Sequence, residues 1–422
     1  MNYKYWWKWF RGLPLSKKWF IWLILLRPII DNFYELKEAS ALASPLYIVG
    51  FLTPVFIVIS SVSGGLQRST DSLQEVPFRI WSLLLIFNAL AFWFIQLNVV
   101  AFGDLIKYIT PVFLFYYSRR FVQSKEDLHG ILTTFLVSCI FPFSIFLYES
   151  IFNPIAIEYI SEGRGGGSRI RGAYADIMNY AILFIVFLII ICYYFLVHMY
   201  NRLSSMKVKT WHLIVGIVFV LYGLTRIRHV STWGVFLFLI ILFLFHNLRN
   251  SRGLIFTFLF LLIVTTFFAE SIYEVHIAPL ISKEQMVIEG EAEADMAFNG
   301  RMTRWEKYFE IWEQMPTINH FTGIVTSNFK ETVVMIGGGM HSDYIRLIFL
   351  TGFIGIFFYV AFLLGSLSKW ISLDIPEKYL IAACISSILL WSITTVPTLY
   401  APLLYILYPI ISFALLPKER QI

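Results

Sequence analysis

Long apolar runs separated by short polar segments make up most of this chain. A helix needs about 20 apolar residues to cross a bilayer. Runs of that kind lie near 19–33, 45–62, 78–97, 104–118, 130–149, 177–199, 211–226, 231–248, 253–269, 345–365, 379–397 and 399–416. The pattern therefore predicts about twelve spans, the first and fourth of them short. A single long hydrophilic stretch, 270–344, breaks the pattern between the ninth and tenth runs. The expected architecture is all-α and polytopic: one integral membrane domain over 1–422, with 270–344 inserted as a large loop. No period divides the chain into matching halves, as many transporters show.

Composition agrees. The 422 residues are 58% hydrophobic and 14% charged, whereas soluble domains carry about 25% charged residues. A soluble enzyme and a nucleic-acid-binding module are both excluded. Cys139, Cys192 and Cys384 all fall in apolar runs and read as buried thiols, not as disulfides or metal ligands. No removable leader is expected at the N-terminus. The net charge of +6 matters through its distribution. With the N-terminus inside, the inner loops gather Lys4, Lys8, Arg11, Lys17, Lys18, Arg68, Arg79, Arg119, Arg120, Lys125, Arg202, Lys207, Lys209, Arg249, Arg252, Lys369, Lys378, Lys418 and Arg420. Far fewer basic residues fall in the short outer loops, so both termini read as inside and 270–344 as outside. The first residues, rich in Lys, Trp and Arg, suit a segment lying on an anionic leaflet.

Three segments keep charge at the outer mouth. They are Gly163–Tyr174 with Arg164, Arg169 and Arg171; the short turn Thr225-Arg226-Ile227-Arg228-His229; and His341-Ser342-Asp343-Tyr344-Ile345-Arg346, where the long loop re-enters. Outer arginines run against the usual charge bias. A guanidinium is a permanently charged fork that grips phosphate bidentately, and glycines beside Arg164 and Arg169 let backbone N–H groups approach the same anion. Pairing with Glu149, Glu158, Glu162 or lipid headgroups is the alternative. His341, after three glycines, is placed to take a proton from a sugar hydroxyl, for which a neutral imidazole of pKa ~6.5 is suited; a structural histidine is the alternative. The run Glu289–Asp295 reads as a solvated acidic loop before a cation site. Thr303-Arg304-Trp305-Glu306 reads as a capping box opening an amphipathic helix through Trp305, Tyr308, Phe309, Trp312 and Met315, ended by Pro316. That helix packs on the bundle or on the membrane surface, or else offers Trp305 or Trp312 to a sugar. Arg27-Pro28 with Asp31 marks a helix interrupted by proline, the charges serving function or pairing with each other.

Taken in order, these segments resemble a known family. Arg171-Gly172, Tyr174, Asp176 and Asn179, then Thr225-x-x-Arg228, then Arg301-x-x-x-Trp305 up to Pro316, then His341-Ser342-x-Tyr344-Ile345-Arg346-Leu347 with Thr351-Gly352 are similar to the motifs of the O-antigen ligase and Wzy-type polymerase superfamily. Ser342 stands where that family has Asn, and Ile227 where it has Ser; spacing favours Arg228 over Arg226 as the family's arginine. The resemblance implies a GT-C-type bundle in the bacterial inner membrane, with its active site on the periplasmic face. It implies an inverting, metal-independent glycosyltransferase without a cofactor, acting on an undecaprenyl-diphosphate-linked oligosaccharide, with membrane lipid and a chain-length regulator as partners. Arg171 and Arg228, with Arg226 and Arg169, would bind the diphosphate. His341 would act on the acceptor hydroxyl, and Tyr344, Arg346 and Arg301 would add weaker substrate contacts. Polymerase is favoured over ligase, and a transporter or flippase is the reading outside the family.

Overall fold

The computed structural model describes residues 3–33, 45–62, 72–152, 157–159, 168–170, 174, 176–200, 207–247, 278–290, 301–324 and 340–421, with isolated positions between 255 and 274. Helices α1 (Tyr3–Gly12), α2 (Leu15–Asp31), α3 (Pro45–Val62), α4 (Val76–Gln96), α5 (Val99–Phe121), α6 (Lys125–Ser138) and α7 (Ile140–Ile151) come first. A short antiparallel hairpin, β1 (Ile157–Tyr159) and β2 (Ser168–Ile170), follows them. Then come α8 (Met178–Met199), α9 (Thr210–Ile227), α10 (Val230–Asn247), α11 (Ala278–Ile288), α12 (Arg301–Glu313), α13 (Thr317–Thr322), α14 (Asp343–Ser368), α15 (Ile375–Thr394) and α16 (Ala401–Ala414).

Among the described residues seven stretches are long and apolar enough to cross a membrane: Leu73–Gln96, Lys125–Ile151, Met178–Met199, Thr210–Ile227, Val230–Asn247, Asp343–Ser372 and Ile375–Thr394. The chain is thus an α-helical, multi-pass membrane protein. Two other expected spans contain shorter apolar helices, Ile48–Ser60 and Leu403–Ala414, and the expected span at 253–269 lies almost wholly outside the described residues. Helix α2 does not break at Pro28 as its sequence suggested; it continues to Asp31. The Pro28 carbonyl accepts from Asn32 Nδ2 at 2.8 Å and from the Tyr174 hydroxyl at 2.9 Å. Arg27 pairs with Asp31 at 2.7 Å, which settles those two charges as partners of each other.

Helix α8 is apolar around its whole circumference and almost entirely buried, as such a helix must be. It packs against α6, α9, α10, α15 and α16. All three cysteines are buried and unbridged. At one end of the bundle, charged groups buried by packing are paired. Arg119 meets Glu75 at 2.6 Å and donates to the Ser412 carbonyl at 3.0 Å. Lys125 meets Glu377 at 2.7 Å, and Glu377 also accepts from the Tyr193 hydroxyl at 3.2 Å. Breaking one partner of such a pair leaves an uncompensated charge, which is why these residues come as sets.

Helix α14 carries a break that positions the other end. Gly352 has φ 65° and ψ −175° inside it. Gly323, at φ 83°, lies against the same point: a Cβ on Gly323 would strike the backbone of Leu350 and Thr351, and one on Gly352 would strike the carbonyl of Phe321. Two backbones meet where only glycine fits. The carbonyls freed by the break are taken up from outside the helix. Asn88 of α4 donates to Leu350 O at 2.7 Å and to Thr322 O at 2.8 Å, and Ile324 N donates to Phe349 O at 2.8 Å.

Candidate functional site at the polar mouth

Helix α12 lies on the far end of the bundle and holds the approach to His341. It begins at Arg301, two residues before the capping box its sequence suggested, so Thr303 sits inside the first turn. Tyr308 and Trp312 are buried in a small core with Ile324, Met340, Ile345 and Phe349. Trp305 donates its indole N–H to Met340 O at 2.7 Å. Packing on the bundle is therefore the role of this amphipathic face, and Trp312 offers no open ring to a sugar.

His341 follows directly. It is exposed, with φ 46°, in the left-handed region that a non-glycine residue rarely occupies. The backbone after it is pinned. The Ser342 hydroxyl donates to Ser392 O at 3.1 Å and caps α14. Asp343 N donates to Thr395 O at 2.9 Å. Asp343 itself is fully buried. Its carboxylate accepts from Arg346 Nε at 2.8 Å and Nη2 at 2.6 Å, from Thr398 N at 2.8 Å and from the Thr398 hydroxyl at 2.9 Å. Arg346 is thus held by Asp343 and Thr398, and it lines a small cavity with Trp81, Leu85, Tyr108, Pro111 and Leu350. The Tyr344 hydroxyl donates to Leu389 O at 2.8 Å. Both residues face inward and fix the helix start, whereas His341 stays at the surface.

The link between α15 and α16 carries the network on. The Tyr400 hydroxyl donates to Asp176 Oδ2 at 2.7 Å, and burial together with that carboxylate raises the phenol well above its ordinary pKa. The other oxygen, Asp176 Oδ1, accepts from the N–H of Met178, the first residue of α8, at 2.9 Å. At the arginine turn, α9 ends with Ile227 fully buried. Arg228 adopts φ 48° and donates its N–H to Leu224 O at 3.1 Å, opening the two-residue turn that leads to α10 at Val230. Arg226 is exposed and Arg228 half-buried. Next to them His229 shares a hydrogen bond of 2.6 Å with the Thr232 hydroxyl. Burial lowers its pKa to about 4; Asp176 pulls it up, and Arg301 and Arg169 push it down. His229 is accordingly neutral near pH 7, with positive charge gathered around it.

Of the residues singled out from sequence, the structure brings Arg169 and Arg301 to the field around His229, next to Arg228 in the chain. Arg169 stands opposite Glu158 in the hairpin register. Arg171 and the glycines at 163–167 lie outside the described residues, as do 291–295 of the acidic run. Among the described residues no group of three or more His, Cys, Asp or Glu side chains converges as a metal site would require. Sequence reasoning missed Asp176, His229, Thr398 and Tyr400 as members of one network. Asp176 and His229 stood within motifs already noticed, but Thr398 and Tyr400 sit in an apolar-looking stretch without any charge. No family model, curated protein or solved structure matches this chain.

Proposed function

We propose that this protein is a bacterial O-antigen or exopolysaccharide polymerase, a GT-C-type inverting glycosyltransferase that spans the inner membrane about twelve times and works on its periplasmic face. In this reading 270–344 is the large periplasmic loop between the ninth and tenth spans. The donor is an undecaprenyl-diphosphate-linked oligosaccharide, the acceptor a sugar hydroxyl of a second lipid-linked repeat unit, and no cofactor takes part. A chain-length regulator is the expected protein partner.

The observation that carries this reading is that β2, which holds Arg169, packs on α9, whose end is the arginine turn, while Asp176 bonds to Tyr400 and Asp343, beside exposed His341, bonds to Thr398; His229 feels the charges of Asp176, Arg301 and Arg169. Cations there suit a leaving diphosphate. His341 accepts the proton of the attacking hydroxyl as its oxygen bonds to the anomeric carbon from the face opposite the leaving group. The bond from that carbon to the diphosphate oxygen breaks, and its electron pair leaves with the lipid diphosphate beside the arginines. Arg171 and Arg228, with Arg226 and Arg169, hold the diphosphate; Arg301 adds charge at the entrance, and Tyr344 and Arg346 shape the floor. A ligase would run the same step with lipid A-core as acceptor, and a transporter or flippase would run none of it.

Purified protein given a defined lipid-linked repeat unit should yield a ladder of longer glycans. Transfer to lipid A-core alone would make it a ligase, and lipid-linked substrate left unextended but moved across vesicles would make it a transporter.

A further inference from the structure

The end of the bundle opposite this mouth carries a surface that the transfer reaction does not use. Helix α1 lies against α6 through one face. Trp6 donates to the Thr134 hydroxyl at 3.0 Å and Trp9 to Asp127 at 3.2 Å. A side chain at Gly130 would collide with the Trp9 ring, and Phe10 and Leu13 are buried in the main core. The opposite face presents Lys4, Lys8 and Arg11, at i, i+4 and i+7, all exposed. Among the described residues none of the three pairs with a carboxylate; Arg11 instead stacks on Trp7 at 4.9 Å.

The same turn of chain gathers further cations. Asp127 binds Trp9 and Lys17 and also accepts from Gln123 N at 3.0 Å. The Gln123 side chain accepts from Arg420 at 2.7 Å, which brings the C-terminal Lys418–Arg420 turn alongside. Lys18 lies 5.9 Å above the Phe10 ring. Against this stand two exposed acids, Glu126 beside Tyr5, and Glu419. Just beyond the charges the surface turns apolar, with Leu15 82% and Trp22 50% exposed, and Trp22 packs edge-on to Phe10 at 6.0 Å.

We infer that α1 and the basic residues beside it form a docking site for anionic phospholipid headgroups of the adjoining leaflet. Aromatic rings fixed at the level where apolar surface gives way to charge, with exposed cations one helical face apart, have the chemistry of an interfacial anchor. Each basic side chain near an anionic surface favours association by roughly fivefold. This end abuts a leaflet because α1 packs along α6, the start of a membrane-length helix.

The test uses the full chain in phosphatidylcholine vesicles containing phosphatidylglycerol, with trace spin-labelled lipid of either headgroup. The wild type should select labelled phosphatidylglycerol over phosphatidylcholine. That preference should fall towards unity in the triple variant Lys4→Gln, Lys8→Gln, Arg11→Gln, with its melting temperature unchanged. It should fall equally in roughly 1 M salt, where the screening length is about 3 Å. Lys207→Gln with Lys209→Gln should leave it intact. An unchanged preference in the triple variant, an indifference to salt, or an equal fall on removing Lys207 and Lys209 would each overturn the assignment.

Discussion

His341 and Arg228 share an unusual backbone: each is a non-glycine residue at positive φ. Such positions persist where surrounding contacts over-determine them, and they cluster at functional sites. For His341 the contacts are Trp305 on the preceding carbonyl and Ser342 and Asp343 on the following turn. If it is the base, His341→Ala should cost 10²–10⁴-fold in turnover, typical of losing general base catalysis, while donor binding survives. His341→Gln should be nearly as poor, and full activity in that variant would reduce the residue to positioning the acceptor. Arg228→Ala should nearly abolish product, a loss of ~2–5 kcal/mol for a diphosphate contact. Lys there should rescue only in part because it keeps charge without the fork, and exposed Arg226 should be milder; wild-type turnover by Arg228→Ala removes it from the diphosphate site. His229 offers a pH signature. Its folded pKa of about 4 lies below the ordinary imidazole value of ~6.5. The unfolded chain therefore binds a proton that the native one refuses between those values, so its contribution is full above the upper value, shrinks as pH falls through the window and is gone below about 4. Melting curves should show the wild type losing stability relative to His229→Gln between pH 6.5 and pH 4; parallel curves would show that the ring titrates normally.

Elements tell a different story about legibility. Helix positions followed from the apolar runs, because periodicity and length are local properties. The role of α12 was legible too, since Trp305, Tyr308 and Trp312 repeat at helical spacing and bury as that spacing implies. The break in α14 was not. Thr351-Gly352 was visible as a motif, but its partners Gly323 and Asn88 lie far away in sequence, and a meeting of two backbones leaves no pattern in either. Pro28 misled because it stands in the last turn of α2, where the one N–H it lacks does not stop the helix short of Asp31. Asn88→Leu is expected to destabilise the protein by about 1–3 kcal/mol for each buried carbonyl it strands, read as a lower melting temperature. Loss of activity should accompany it, since Thr322 and Leu350 frame the loop that delivers His341. An unchanged melting temperature would mean that water replaces the amide.

At the scale of the molecule, charge is sorted to two ends. Paired, buried charges close one end, and a cluster with excess arginine opens at the other. The basic bias along the sequence anticipated which loops share an end; it carried no information on which would touch, and the bond from Tyr400 to Asp176 joins residues that lie outside all three charged segments. Because the native thiols are buried, a single introduced cysteine should dominate labelling by an impermeant reagent. Position 292 should label from outside and position 207 only after permeabilisation, and the reverse pattern would invert the orientation and move the proposed chemistry to the cytoplasm.

The two anchors at Ile324 and Met340 have a consequence for chain length. Ile324 is bonded to Phe349 and Met340 to Trp305, so the chain that leaves after Ile324 and returns at Met340 departs from and arrives at fixed posts. Doubling the length of chain between two such posts costs only about 0.6 kcal/mol of closure entropy. Inserting residues between positions 324 and 340 should therefore leave both posts, and the histidine beside the second of them, where they are.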